Sequence, residues 1–150
     1  MSESVVVSHR YSVLEEVLNA STHGVGVLLG IVGLILMMMK AMRMDDTTIM
    51  VGAVIYGSSI ILLFAASTLY HAIPHVATKR VLRIIDHSAI YLLIAGSYTP
   101  YTLFVIGDRL GAIIMAVVWS LAVAGIIFKV FFVGRFQMVS LITYLGMGWL

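Results

Sequence analysis

The sequence predicts an all-α fold, a polytopic bundle of transmembrane helices, and three observations predict it. Of the 150 residues, 61% are hydrophobic and only 11% charged, with a mean hydropathy of +1.09. Soluble domains carry about 25% charged residues, so this chain lacks the polar surface a globule needs. Charged residues, with His71 and His87, bound four apolar stretches: Val17 to Met39, Thr47 to Tyr70, Ser88 to Gly107 and Leu110 to Phe128. Each approaches or exceeds the roughly 20 residues that carry a helix across bilayer hydrocarbon. A fifth apolar run, Phe136 to Leu150, has no closing polar flank. At about 1.5 Å per residue it falls short of a ~30 Å core, and it is expected to be a crossing cut short.

The expected organisation is a tail with an interfacial amphipathic helix over residues 1–20 and a single transmembrane domain over 21–150, with crossings at about 22–39, 48–71, 86–106, 110–132 and 137–150. Tyr11, Leu14, Val17 and Leu18 fall at helical spacing with Glu15, Glu16 and Asn19 elsewhere, which suits a helix lying in the interface. In the first crossing His23, Gly26, Gly30 and Gly33 share a face, a small-residue stripe that lets two membrane helices approach closely. In the second, Ser59, Leu63, Ser67 and His71 form one row, and polar residues in a row are expected to face the bundle interior. Pro74 ends that helix, His75 is read as a loop residue, and Lys79, Arg80 and Arg83 mark a basic loop. The third crossing opens at Asp86, with His87, Tyr91 and Tyr98 on a neighbouring face. Pro100, lacking a backbone donor, is expected to free the carbonyl of Gly96 and kink the helix. The fourth reads as scaffold, with Trp119 its one unusual occupant, and Lys129 to Arg135 form the next basic loop.

Composition also excludes functions. There is no cysteine, which removes disulfides, thiolate ligands and Cys nucleophiles. A net charge of +2 gives no reason to expect a nucleic-acid partner. Residues 1–20 mix Glu3, Glu15 and Glu16 with apolar residues instead of a basic start and a short apolar core, so no cleavable signal peptide is expected and the first crossing is expected to insert as a signal anchor. Four completed crossings put Arg10, Lys79, Arg80, Arg83, Lys129 and Arg135 on one side and Lys40, Arg43 and Arg109 on the other, so the positive-inside rule predicts a cytoplasmic N-terminus. His23 at the start of crossing one, Ser67 and His71 at the end of crossing two and Asp86 at the start of crossing three then meet at one membrane face, joined by Glu16, Asn19 and Thr22.

A Ser-His-Asp set invites a serine-hydrolase reading, but Ser67 sits within a regular helix with no tight, glycine-flanked turn to expose it. Zinc chemistry suits the residues better. Neutral imidazole binds the metal and a carboxylate orients or deprotonates the bound water. His71 is the one well-placed ligand, and a catalytic zinc takes about three. A polar cluster that only packs helix ends is the competing reading.

These residues carry a family pattern. Glu15 or Glu16, Asn19, Thr22 and His23 match Glu-x(2–3)-Asn-x-x-Thr-His, and Ser67, His71 and Asp86 match Ser-x-x-x-His followed by Asp. With the phrases ILLFAASTLYHAIPH and DHSAIYLLIAGSYTPY, the sequence resembles the bacterial hemolysin III proteins, relatives of the progestin and adipoQ receptors, over about residues 11–150. The resemblance implies seven crossings in the cell inner membrane and a third motif, His-x-x-x-His in the last crossing, that supplies two zinc ligands and is absent here. It further implies His71 as a zinc ligand, Asp86 holding the zinc-bound water, Ser67 supporting the site, and Glu16, Asn19, Thr22 and His23 around it. Related membrane enzymes hydrolyse lipid amides such as ceramides, so membrane lipids and a lipid amide or fatty-acyl ligand are the implied partners. The alternatives are a non-enzymatic lipid-sensing receptor or membrane-homeostasis protein, and a pore-forming cytolysin.

Overall fold

In the computed structural model, which describes residues 12–150, all regular structure is helical: α1 (Val13–Met44), α2 (Thr47–Ala72), α3 (Val76–Pro100), a π-helical segment (Tyr101–Ile106), α4 (Asp108–Phe132) and α5 (Gln137–Gly148). The tail expected over residues 1–10, and Tyr11 of the amphipathic pattern, lie outside the described residues. α1, α2, α3 with its π-helical extension, and α4 are each long and apolar enough to cross a membrane. Short turns make successive helices antiparallel, with α1 on α2, α2 on α3, α3 on α4, and α5 against α3 and α4.

The amphipathic segment and the first crossing are one helix. α1 starts at a capping box in which Ser12 Oγ accepts from the Glu15 amide and the Glu15 carboxylate accepts from the Ser12 amide, satisfying two orphan donors at once. No proline interrupts the chain from there, so the helix continues for 32 residues. That is about 48 Å against a core of about 30 Å, and one end projects beyond it. Asp46 then caps α2 by accepting from the amides of Thr48 and Ile49. The expected α1 stripe is a contact surface at two of its three glycines. A Cβ on Gly26 would lie 2.6 Å from the Phe64 ring and one on Gly30 3.1 Å from Ile60, whereas Gly33 meets nothing within 4 Å. The α2 row faces inward as expected, with Ser59 and Ser67 buried.

The start of α3 departs from expectation. The helix begins at Val76, ten residues before Asp86, and Lys79, Arg80 and Arg83 lie on it instead of in a loop. The cause is local. Pro74 keeps Ile73 extended, and His75 becomes the N-cap, its Nδ1 accepting from the Thr78 hydroxyl at 2.8 Å and the Thr78 amide at 3.4 Å. At the far end, Pro100 is followed by the π-helical turn. The hydroxyls of Thr99 and Thr102 bond carbonyls one turn back, at Ala95, Tyr98 and Thr99, and the Tyr98 carbonyl also accepts from the Tyr101 amide.

Lys129, read as a basic-loop residue although the expected 110–132 crossing includes it, lies in the helix and is buried. It belongs to the last turn of α4, is 3% exposed, donates to Ser140 Oγ at 2.6 Å and lies 5.5 Å from the Tyr144 ring centroid. The tight turn through Gly134 (φ 81°) folds α5 back so that Ser140 and Tyr144 cover it. Below it, Tyr91, Ala95, Val118, Ala122 and Met147 form the core between α3, α4 and α5. Trp119 is tied to this scaffold by its Nε1–H, which donates to Thr99 Oγ1 at 3.2 Å.

Candidate functional site

Three helix ends meet where the sequence concentrates its polar residues: the first turn of α1, the last turn of α2 and the first turn of α3. The Ser12–Glu15 box sets where α1 begins, and the next residue, Glu16, turns its carboxylate toward α2. His71 Nδ1–H donates to Glu16 Oε2 at 2.6 Å, and Lys79 Nζ donates to Glu16 Oε1 at 2.6 Å. The His71, Glu16 and Lys79 side chains are 8%, 20% and 25% exposed, so one carboxylate joins three helices in a mostly dry setting. Charge-assisted bonds of this length are about twice as strong as neutral ones. Tyr70 supplies an aromatic floor, with Lys79 Nζ 5.0 Å from its ring centroid and the His71 and His87 rings 4.8 Å and 6.5 Å away.

One turn deeper, His23 Nδ1 and Ser67 Oγ share a hydrogen bond between α1 and α2, with Ser67 4% exposed. The His23 ring lies 6.0 Å from that of His71 and 5.7 Å from that of Phe64. Asp86 reaches this depth although it does not start its helix. Gly96 faces Ser59, and the Tyr70 ring lies against that of His87. In that antiparallel register Asp86 falls at the level of the Ser67–His71 turn, while the first turns of α3 overhang the end of α2. Its Oδ2 lies 3.3 Å from Nδ1 of its neighbour His87 without hydrogen-bond geometry, and the side chain is 14% exposed.

The structure therefore brings Glu16 to His71 and His23 to Ser67, and sets Asp86 beside His87. The Thr22 hydroxyl instead turns back to the carbonyls of Leu18 and Asn19 at 2.8 and 3.2 Å, spent on its own helix. Asn19 is half-buried on that same turn. Lys79 and Tyr70 are the participants that sequence reasoning missed. The available signal was the helix-start pattern at His75 and Thr78, which moves Lys79 from a loop to the first turn of α3.

Zinc, implied by the family resemblance, fits these residues in kind but not in number. His71 is held through Nδ1 by Glu16, and a carboxylate on one ring nitrogen is how metal-ligating histidines are usually oriented. Among the described residues no group of three or more His, Cys, Asp or Glu is arranged to hold a metal ion.

Residues 11–150 match a family model described as Haemolysin-III related. The chain is 49% identical over 140 residues to the "Hemolysin-3 homolog" of Bacillus subtilis, covering 93% of this chain and 66% of that protein. It is 46% identical over 138 residues to "Hemolysin-3" of Bacillus cereus, covering 92% of this chain and 63% of the relative. More distantly, it is 29% identical over 139 residues to the human "Monocyte to macrophage differentiation factor", covering 89% of this chain and 57% of that protein. The chain thus spans slightly less than two thirds of the length of the bacterial relatives. No solved structure matches it.

Proposed function

This chain belongs to the haemolysin-III-related family of multi-pass membrane proteins, and from that premise we propose that it carries part of a zinc site at the cytoplasmic face and that the whole protein is a zinc-dependent hydrolase of lipid amides. The observation that carries this reading is the Glu16–His71 pair, an imidazole fixed through Nδ1 by a carboxylate from another helix. Bound zinc supplies a Lewis acid and water of lowered pKa. The chain's own residues supply the rest. Glu16 fixes the His71 ring from another helix and keeps the proton on Nδ1. Asp86, largely buried at the same depth, takes the proton of the attacking water. Ser67, held by His23, lines the site as a hydroxyl donor. Hydrolysis adds water across the acyl C–N bond, giving a carboxylic acid and an amine, and both the apolar surroundings and the position beside the bilayer suit a lipid amide. The sidedness follows from the basic residues at this end of the bundle, Lys79, Arg80, Arg83, Lys129 and Arg135.

The test is metal content by elemental analysis of the full-length protein, wild type against His71→Ala. About one zinc per chain, lost on substitution, is expected, followed by fatty-acid release from a ceramide-like amide that Asp86→Asn abolishes while zinc is retained. A full-length protein without zinc sinks the reading.

A second reading rests on Glu16 bridging α1, α2 and α3. In a non-enzymatic lipid sensor the metal would staple these helices, and zinc would be present with no turnover. The bacterial relatives carry the name hemolysin; leakage of dye from liposomes by purified full-length protein is the outcome that would bring a pore-forming cytolysin forward.

A further inference from the structure

Among the described residues, two cations at the basic end of the bundle pair with no anion: Arg83, in the second turn of α3, and Lys129, in the last turn of α4. They are close enough for the two like charges to act on each other. Asp86, one turn along from Arg83, lies beside His87 and forms an ion pair with neither. The contacts of Lys129 are neutral, the Ser140 hydroxyl and the Tyr144 ring. The Arg83 guanidinium packs across the α4–α5 turn, where a Cβ added at Gly134 would lie 3.3, 3.5 and 3.6 Å from Nη1, Cζ and Nη2. Such near-equal distances set its flat face on the turn. The N–H groups lie in the guanidinium plane and so point along the surface, and Nε is buried without a partner. Lys129 directly follows the apolar stretch Leu110 to Phe128, and Arg83 precedes the stretch that opens at Ser88 by five residues, about 7 Å along a helix. Both therefore sit at the boundary between hydrocarbon and headgroups, where an unpaired charge is costly.

The surroundings continue the pattern of a lipid molecule. The rings of Phe128, Phe132 and Phe136 lie 5.1 to 6.4 Å apart and form an aromatic collar at the same turn. From Phe128 an apolar groove of about 430 Å³ runs between α4 and α5, lined by Leu121, Gly125, Val139, Ile142 and Gly146. Leu121, Val139 and Ile142 are exposed, so the groove opens where the acyl chains lie. We infer that Arg83 and Lys129 form a site for the phosphate of an anionic phospholipid, with an acyl chain of that lipid in the α4–α5 groove. A guanidinium holds a phosphate through paired N–H bonds, and basic pockets between membrane helices take such headgroups. A soluble phosphate would use the cations and leave the collar and groove empty. The inference uses neither Glu16 nor His71 and stands whether or not the protein binds zinc.

The measurement is native mass spectrometry of the full-length protein, delipidated and then given equimolar phosphatidylglycerol and phosphatidylcholine in detergent, reading the ratio of the two lipids bound. A basic residue near anionic lipid is worth about fivefold. Wild type is expected to retain one phosphatidylglycerol with a preference of about tenfold or more over phosphatidylcholine. Arg83→Gln and Lys129→Met are each expected to lower that preference about fivefold, and Arg83→Lys to keep most of it as a point charge. Arg80→Gln removes the same charge from an exposed neighbour on α3 and is expected to bind as wild type. No preference in the wild type overturns the inference, as it would if a carboxylate elsewhere in the full-length protein already filled the site. Equal losses from Arg80→Gln and Arg83→Gln overturn it too, since they mark a diffuse basic surface. The second arm is thermal unfolding in millimolar inorganic phosphate. Stabilisation of wild type but not of Arg83→Gln, with no lipid preference, assigns the cations to a soluble phosphate and overturns the lipid. Should Lys129→Met fail to fold, Arg83→Gln against Arg80→Gln decides the question.

Discussion

Replacing Glu16 by Ala removes one side chain and two charge-assisted contacts, which makes it the sharpest test of the three-helix junction. The bonds to His71 Nδ1 and Lys79 Nζ are both 2.6 Å. Hydrogen bonds to charged groups contribute about 1.5–3 kcal/mol each when removing one partner leaves the other desolvated. The His71 side chain is 8% exposed and Lys79 is 25% exposed, so the first bond carries most of the effect and solvent screens part of the second. The total expected loss is about 2–3 kcal/mol. A double-mutant cycle divides it: Glu16 with His71 should couple by about 1–2 kcal/mol, and Glu16 with Lys79 by about 0.5–1 kcal/mol. The assay is reversible unfolding of full-length protein in mixed micelles, followed by far-ultraviolet circular dichroism, for the wild type, single and double variants. Coupling energies within about 0.3 kcal/mol of zero for both pairs would refute the junction, because independent sites add to that tolerance.

Two helix glycines are expected to respond oppositely to alanine. A Cβ at Gly125 would lie 2.3–2.6 Å from ring carbons of Tyr91, which is 1% exposed and tied through its hydroxyl to Thr143 at 2.7 Å, so Gly125→Ala should cost about 1–3 kcal/mol. Gly33, with nothing within 4 Å of an added Cβ, should gain about 0.5–1 kcal/mol on the same change; the same unfolding assay reads both, and equal effects would disprove the packing. Asp46→Ala, removing the cap that holds the Thr48 and Ile49 amides, should cost about 1 kcal/mol and fray the start of α2, seen as faster amide exchange confined to that turn.

Much of this architecture is local and so legible in the chain. Whether a segment crosses a bilayer depends on the length of its apolar run, a property of neighbouring residues, and the four long helices follow the four charge-bounded stretches. The inward Ser59–Ser67 row is equally local, since helical spacing decides which residues share a face. The gathering of Glu16, His23, Ser67, His71 and Asp86 at one end follows from counting crossings. What counting does not decide is where helices start beyond the apolar run and which partner a charge finds. Lys79 and Lys129 both follow or close an apolar stretch and read as loop cations. One is turned onto Glu16 by a helix start that His75 caps, and the other is buried because α5 folds back to place Ser140 and Tyr144 over it. Asp86 reads as a helix start and lies well inside α3, yet it reaches the right depth because α3 overhangs α2. Apolar run length and helical periodicity are written in the sequence because they need no partner. The pairing of charged side chains was decided only by the tertiary structure, because a hydrogen bond of 2.6 Å depends on the register of helices far apart in the chain.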